Sequence, residues 1–191
     1  MSLAQHPLPP EPRSNPGIGH AGPVRVLELD GMGGASPTRS VRRTAVKAVV
    51  ERDGLLLLLL SPATGDHKLP GGGVRDGETD EQALAREIAE ETGRRLVSLG
   101  EAVLRVVERR PDAHDPGAAF EMSSTYYRAA VSDEMVATDL DDYERDLGLR
   151  AVWVAAADAL RADEALLATG TAPPWTARET EVLRLLLAGD L

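Results

Sequence analysis

Glu87, Glu90 and Glu91 stand at positions i, i+3 and i+4, a spacing that brings side chains onto one helical face with Cβ atoms roughly 5–6 Å apart. Three carboxylates so placed repel, and the like-charge pair Glu87/Glu91 destabilises a bare helix. Arg86 offsets part of that repulsion by pairing with Glu90, four residues on. Bound cations would offset far more. Hard carboxylate oxygens, in a chain without cysteine, favour Mg²⁺, with Mn²⁺ as second choice. Ions about 3.5–4 Å apart can clamp the attacking and leaving oxygens of a phosphoryl transfer and lower the pKa of the attacking water. Upstream lies Gly71-Gly72-Gly73, and glycine alone lets the backbone approach a metal or phosphate so closely. A Glu-rich helix face is by itself usually solvated, and a glycine loop alone is weaker still. Their fixed relative spacing is what carries weight.

Such a cluster needs a helix to carry it. Thr79 and Gln82 have capping-box spacing, Asp80 and Glu81 put negative charge in the first turn, and Gly93 suits the residue after the last turn. The spacing predicts a helix from Thr79 to Thr92. Before it, Thr44 to Val50 suits a strand, Asp53-Gly54 is a hairpin turn signal, and Leu55 to Leu60 reads as a short buried strand. After it, Val97 to Val107 and Phe120 to Val131 read as strands around a loop containing Pro111 and Gly117, and Leu149 to Ala155 as a further strand. A helix follows from Ala156 to about Ala168, and Thr176 with Glu179 predicts a capping box for a last helix to about Leu187. Residues 1–22 read as a flexible Pro/Gly tail, 23–39 as a short strand and a Gly-rich linker, and 40–191 as the compact domain.

The stretch Gly72-(five residues)-Glu78-(seven residues)-Arg86-Glu87-Ile88-Ala89-Glu90-Glu91-Thr92-Gly93 resembles the Nudix box. Every charged and glycine position matches, as does Ile88; the final apolar position is Arg94 here. A chance match has a probability on the order of 10⁻⁵ to 10⁻⁶ at ordinary residue usage. The resemblance implies an α/β fold, an α/β/α sandwich around a mixed sheet, and a Nudix hydrolase cleaving a diphosphate bond by attack of a metal-activated water. It implies Glu87, Glu90 and Glu91 as metal ligands, with a backbone carbonyl from the Gly72 region. Arg86 would orient the carboxylates and Glu78 brace the loop. The general base varies within the family: a box glutamate can serve, and Glu144 is the candidate from a later loop, although a solvated loop residue is the commoner outcome. His67 and Lys68, with Gly71, Gly72 and Gly73, are candidates for contact with substrate phosphate, and Arg43 for gripping it.

Composition bounds the rest. The net charge of −10 and pI of about 4.9 disfavour a nucleic-acid partner but allow a small polyphosphate substrate where cations intervene. Aromatic content is 3%, so base-stacking candidates are few: Phe120, Tyr126, Tyr127, Tyr143, Trp153 and Trp175. Trp175, beside prolines, reads as a packing anchor for the last helix. The absence of cysteine suits a reducing cytoplasm, and the leucine run is too short to span a bilayer. The expected substrate is a nucleoside diphosphate linked to another group; nucleoside triphosphates and nucleotide sugars both remain open, as does a homodimer. The alternative is a Nudix-fold nucleotide-binding or regulatory domain that cleaves weakly or not at all.

Overall fold

A computed structural model describes residues 24–34, 37–115 and 117–191; the expected tail at 1–22 lies outside them. In chain order the elements are β1 (Arg25–Asp30), β2 (Arg39–Val49), β3 (Glu51–Arg52), β4 (Leu55–Leu60), β5 (His67–Lys68), α1 (Asp80–Thr92), β6 (Arg94–Pro111), β7 (Ala118–Met135), α2 (Asp142–Leu147), β8 (Arg150–Val154), α3 (Ala156–Thr169) and α4 (Thr176–Ala188). One sheet runs β1-β6-β7-β2, with β1 parallel to β6, β6 antiparallel to β7, and β7 parallel to β2. The other runs β3-β4-β5, with β8 antiparallel to β4.

The leucine run becomes β4 and serves two cores. Strand side chains alternate between faces, so Leu56 and Leu58 join Val49, Leu104, Tyr126, Val182 and Leu183. Leu57 points the other way, toward Ala83, Leu84 and Ile88 of α1. The result is the α/β/α sandwich, with α1 on one side of the sheets and α3 and α4 on the other. The first sheet is longer than the residue pattern predicts, because β6 and β7 extend into the loop that Pro111 and Gly117 marked. β1 lies in the segment expected to be strand plus linker. It pairs with β6 along its length, and Leu27 and Leu29 pack on the core, so it is continuous with the domain expected from residue 40.

One expected device does not form. The N-cap of α4 is Trp175, which makes Thr176 the first helical residue and puts Glu179 one place beyond the box position. Thr176 Oγ1 is buried without a partner, and the Glu179 carboxylate turns inward to accept from Arg178 and from the Leu69 N–H. Burial of Arg178 is the physical reason: its charge needs an adjacent counter-charge.

Leu58 is fully buried between α4 and the first sheet, so Leu58→Ala should lower unfolding free energy by about 2–5 kcal/mol in urea titration. Val97, 66% exposed, should tolerate the same change within about 0.5 kcal/mol.

Candidate active site

The predicted capping box closes the start of α1: Gln82 N–H donates to Thr79 Oγ1 at 3.2 Å, and Thr79 N–H donates to Gln82 Oε1 at 2.9 Å. At its other end, Gly93 N–H donates to Ala89 O. Ala83, Leu84 and Ile88 anchor the helix in the core, which turns Glu87 and Glu91 toward the glycine loop and Glu90 toward Arg75.

Arg86 spends all five of its N–H groups on this loop–helix junction. Nε and Nη2 form a fork onto Glu78 at 2.7 and 2.8 Å, Nη1 reaches Glu87 at 2.5 Å and Glu90 at 3.2 Å, and Nη2 also donates to Gly73 O at 3.0 Å. Hydrogen bonds from Arg86 and from the Arg75 N–H hold the Glu78 carboxyl down to about 2.

The glycine loop is stitched to β2: Val46 N–H donates to Gly72 O at 3.0 Å, Ala48 N–H to Pro70 O at 2.9 Å, and Val74 N–H to Thr44 O at 3.1 Å. Gly71 has φ +125°, and a Cβ there would lie 2.9 Å from Lys47 Cα. At Gly72 a Cβ would sit 2.6 Å from the Glu87 carboxylate. Backbone and carboxylate therefore face each other with no room for a side chain between them.

Glu91 is buried, accepting from Gly71 N–H at 2.6 Å and from Lys68 Nζ at 3.3 Å. Burial pushes its carboxyl up to about 7, against the pull of Lys68 and Lys47. Lys68 Nζ also donates to Glu144 Oε1 at 3.0 Å and lies 3.4 Å from Tyr143 Oη. Glu144 is buried rather than solvated, because α2 folds it against Lys68 and Asp141 N–H donates to its Oε2 at 3.1 Å. Burial opposes its ionisation, but Lys68, the Tyr143 hydroxyl and the Asp141 N–H outweigh that and keep it below the ordinary carboxylate range.

These groups line a cavity of about 330 Å³. Its floor is one face of three paired strands, since register aligns Arg43 of β2 with Met122 of β7 and Met122 with Glu108 of β6. Arg43, Lys68, Gly71, Gly72, Gly73, Glu87, Glu91 and Glu144 all line it. Arg86, Glu78 and Glu90 stand behind or beside that wall. His67 does not reach it, which corrects the expectation of a phosphate contact. β5 alternates, so Lys68 faces the cavity while His67 Nδ1 lies 3.1 Å from Asp163 Oδ1 of α3.

Sequence reading did not single out Lys47, Glu108, Arg110 or Arg178. Lys47 is buried in β2 and donates to Leu69 O at 3.1 Å and to Gly71 O, and burial lowers its pKa. The signal for it was there: one lysine inside the otherwise apolar run Ala45–Val50. Trp175, expected as an anchor, lines the cavity with its Nε1 donating to Asp66 Oδ2 at 2.6 Å.

Among the described residues no three acidic or histidine side chains converge as a metal cluster. Arg86 holds Glu87 and Glu90, while Lys68 and Gly71 hold Glu91. The donor chemistry nevertheless fits a divalent cation: carboxylate oxygens from adjacent turns face a glycine backbone at the mouth of a cavity.

A family model described as NUDIX domain matches residues 41–175. The chain belongs to the NUDIX family. Matches to curated proteins are local: 48% identity over 52 residues to an ADP-ribose pyrophosphatase of Methanocaldococcus jannaschii, covering 26% of this chain and 31% of that one. A CTP pyrophosphohydrolase of Escherichia coli is 44% identical over 52 residues, 25% of this chain and 38% of its own. The chain thus spans under half the length of these relatives. Among solved structures, a NUDIX hydrolase from Nitrosomonas europaea aligns over 74% of this chain and 87% of its own, at 26% identity and a TM-score of 0.48. The Nudix-box departure at Arg94 keeps a packing role, its guanidinium lying 5.7 Å from the Trp153 ring centroid, with Arg52 at 4.9 Å.

Glu78 gives this NUDIX chain a pH signature. Its folded pKa of about 2 lies below the ordinary unfolded value of about 4.3, so its contribution is full above the unfolded value and vanishes as pH falls through about 2. Glu78→Gln should destabilise the protein at pH 7 in denaturant titration, and the gap from wild type should narrow below pH 4 and close near pH 2.

Proposed function

We propose that this chain is a divalent-metal-dependent pyrophosphohydrolase that cleaves a diphosphate bond in a nucleoside diphosphate linked to another group. The carrying observation is that Glu87 and Glu91 meet Gly71–Gly73, Lys68 and Glu144 around one cavity. The names of the relatives, an ADP-ribose pyrophosphatase and a CTP pyrophosphohydrolase, support the substrate class.

Glu87, Glu90 and Glu91 would hold the cation, Mg²⁺ by donor hardness, with Mn²⁺ as the alternative. When bound, such an ion supplies charge neutralisation along the diphosphate and acidity to the attacking water. Arg86 orients two of the carboxylates, and Glu78 braces Arg86 against the loop. Lys68 and Arg43 present positive charge to phosphate oxygens, and the glycine loop allows close backbone approach. Glu144 is the candidate base: it would accept the proton of the water that attacks phosphorus, while the bridging P–O bond breaks and its electrons leave with the departing phosphate. Transfer of Lys68 onto a substrate phosphate would remove part of what keeps Glu144 acidic. A small nucleotide in a reducing cytosol is the setting that fits a cysteine-free chain, and no described helix is long and apolar enough to cross a membrane.

A phosphate-release screen across nucleoside triphosphates, dinucleotides and nucleotide sugars should find Mg²⁺-dependent cleavage that EDTA abolishes. Glu91→Gln should lower kcat by about 10²–10³-fold with the thermal unfolding midpoint retained. Arg86→Lys, which loses the fork, should lower activity about 10–100-fold. Full activity of Glu91→Gln, or in EDTA, rules this mechanism out.

A further inference from the structure

The cavity continues past the carboxylates along the strand row that Arg43 shares with Met122 and Glu108. There β6 and β7 set Arg110 opposite Phe120 and Glu108 opposite Met122. The Arg110 guanidinium lies 4.4 Å from the Phe120 ring centroid, a flat cation–aromatic pair at the cavity wall. Phe120 is the one phenylalanine in the chain.

Facing this pair is Arg178 of α4, beyond the residues matched by the family model. Its Nη1 donates to Glu108 Oε2 at 2.9 Å, and its Nε and Nη2 donate to Glu179 Oε1 at 3.2 and 3.0 Å. Glu179 supplies the counter-charge from the buried side. With the hydrogen bond from Nη1 to Met122 Sδ at 3.8 Å, these three bonds leave one of the five guanidinium hydrogens, on Nη2, to donate. This end thus offers a flat face, apolar sulfur and ring surface, and an adjacent acceptor and donor. A cavity of about 330 Å³ lies in the range of small-molecule sites, ~300–1,000 Å³.

Building on the hydrolytic reading of the same cavity, we propose that this end receives the base of the nucleotide. Phe120, backed by Arg110 on its other side, stacks against its face, while Glu108 and Arg178 bond its edge. Glu108 accepts from an exocyclic amino group and Arg178 donates to the neighbouring ring acceptor, so the pair selects amino-bearing bases. Uracil and hypoxanthine lack that amino group and leave Glu108 facing an acceptor. A desolvated carboxylate against an acceptor is unfavourable, which gives the discrimination its size.

The test is calorimetric titration of the full chain, with Mg²⁺, using nucleoside monophosphates in pairs that differ at the amino position: AMP against IMP, and CMP against UMP. Inorganic pyrophosphate serves as the probe without a base. AMP and CMP should bind about tenfold more tightly than their partners. Phe120→Ala should weaken AMP and CMP about tenfold and leave pyrophosphate unchanged. Glu108→Gln should reduce the amino preference to about twofold or less, on the scale of one neutral hydrogen bond. Both positions are only partly buried, and thermal unfolding of each variant verifies the fold. Equal affinities within each pair, no binding of AMP and CMP, or a Phe120→Ala effect shared by pyrophosphate would overturn the proposal. Phosphoanhydride cleavage by the wild type reports separately on hydrolysis, so failure of one reading is distinguishable from failure of the other.

Discussion

Glu87, Glu90 and Glu91 put three negative charges on one face of a thirteen-residue helix, and neighbouring groups must meet the free energy of that crowding. Arg86 meets it on one side and Lys68 on the other. The two solutions differ. Arg86 is saturated by five hydrogen bonds and ties Glu87 and Glu90 to Glu78 and the glycine loop. Lys68 is a point charge shared between Glu91 and Glu144, two carboxylates brought together from α1 and α2. An arriving cation and phosphate would take over parts of both arrangements: the carboxylates gain a stronger counter-charge, and Lys68 is free to turn to the substrate.

The rest of the fold holds those groups in place. The apolar face of α1 fixes its rotation on the sheets, the stitched loop between Pro70 and Val74 sets the backbone opposite Glu87, and Lys47 beneath it holds the carbonyls of Leu69 and Gly71. α4 joins the same system from outside the matched family region. Glu179 receives the Leu69 N–H, so the last helix clamps the entry of the glycine loop while Arg178 closes the far wall of the cavity.

Local chemistry in the sequence made the centre of the site legible. Capping residues Thr79, Gln82 and Gly93 bound a helix whose carboxylate spacing needs no tertiary information, and the six-leucine run between turn signals buries its middle four residues, Leu56 to Leu59. What tertiary contact decides was less visible. β5 is two residues long, too short for its alternation to tell His67 from Lys68. Glu144 looked like a solvated loop residue because its partner lies 76 positions away. Thr176 and Glu179 had the spacing of a cap, but the helix began one residue early and a buried arginine claimed the glutamate. Lys47, Glu108 and Arg178 share a cavity only through strand register and the return of α4, neither of which any local pattern encodes.

The most direct measurement is a crystal structure grown with Mn²⁺ and a non-hydrolysable nucleotide, read by anomalous scattering. Manganese peaks bonded to Glu87, Glu90 and Glu91 beside the diphosphate, with Lys68 moved onto a phosphate oxygen, are the expected result. Glutamates still gripped by Arg86 and Lys68, with the nucleotide bound and no anomalous peak among them, would contradict the assignment.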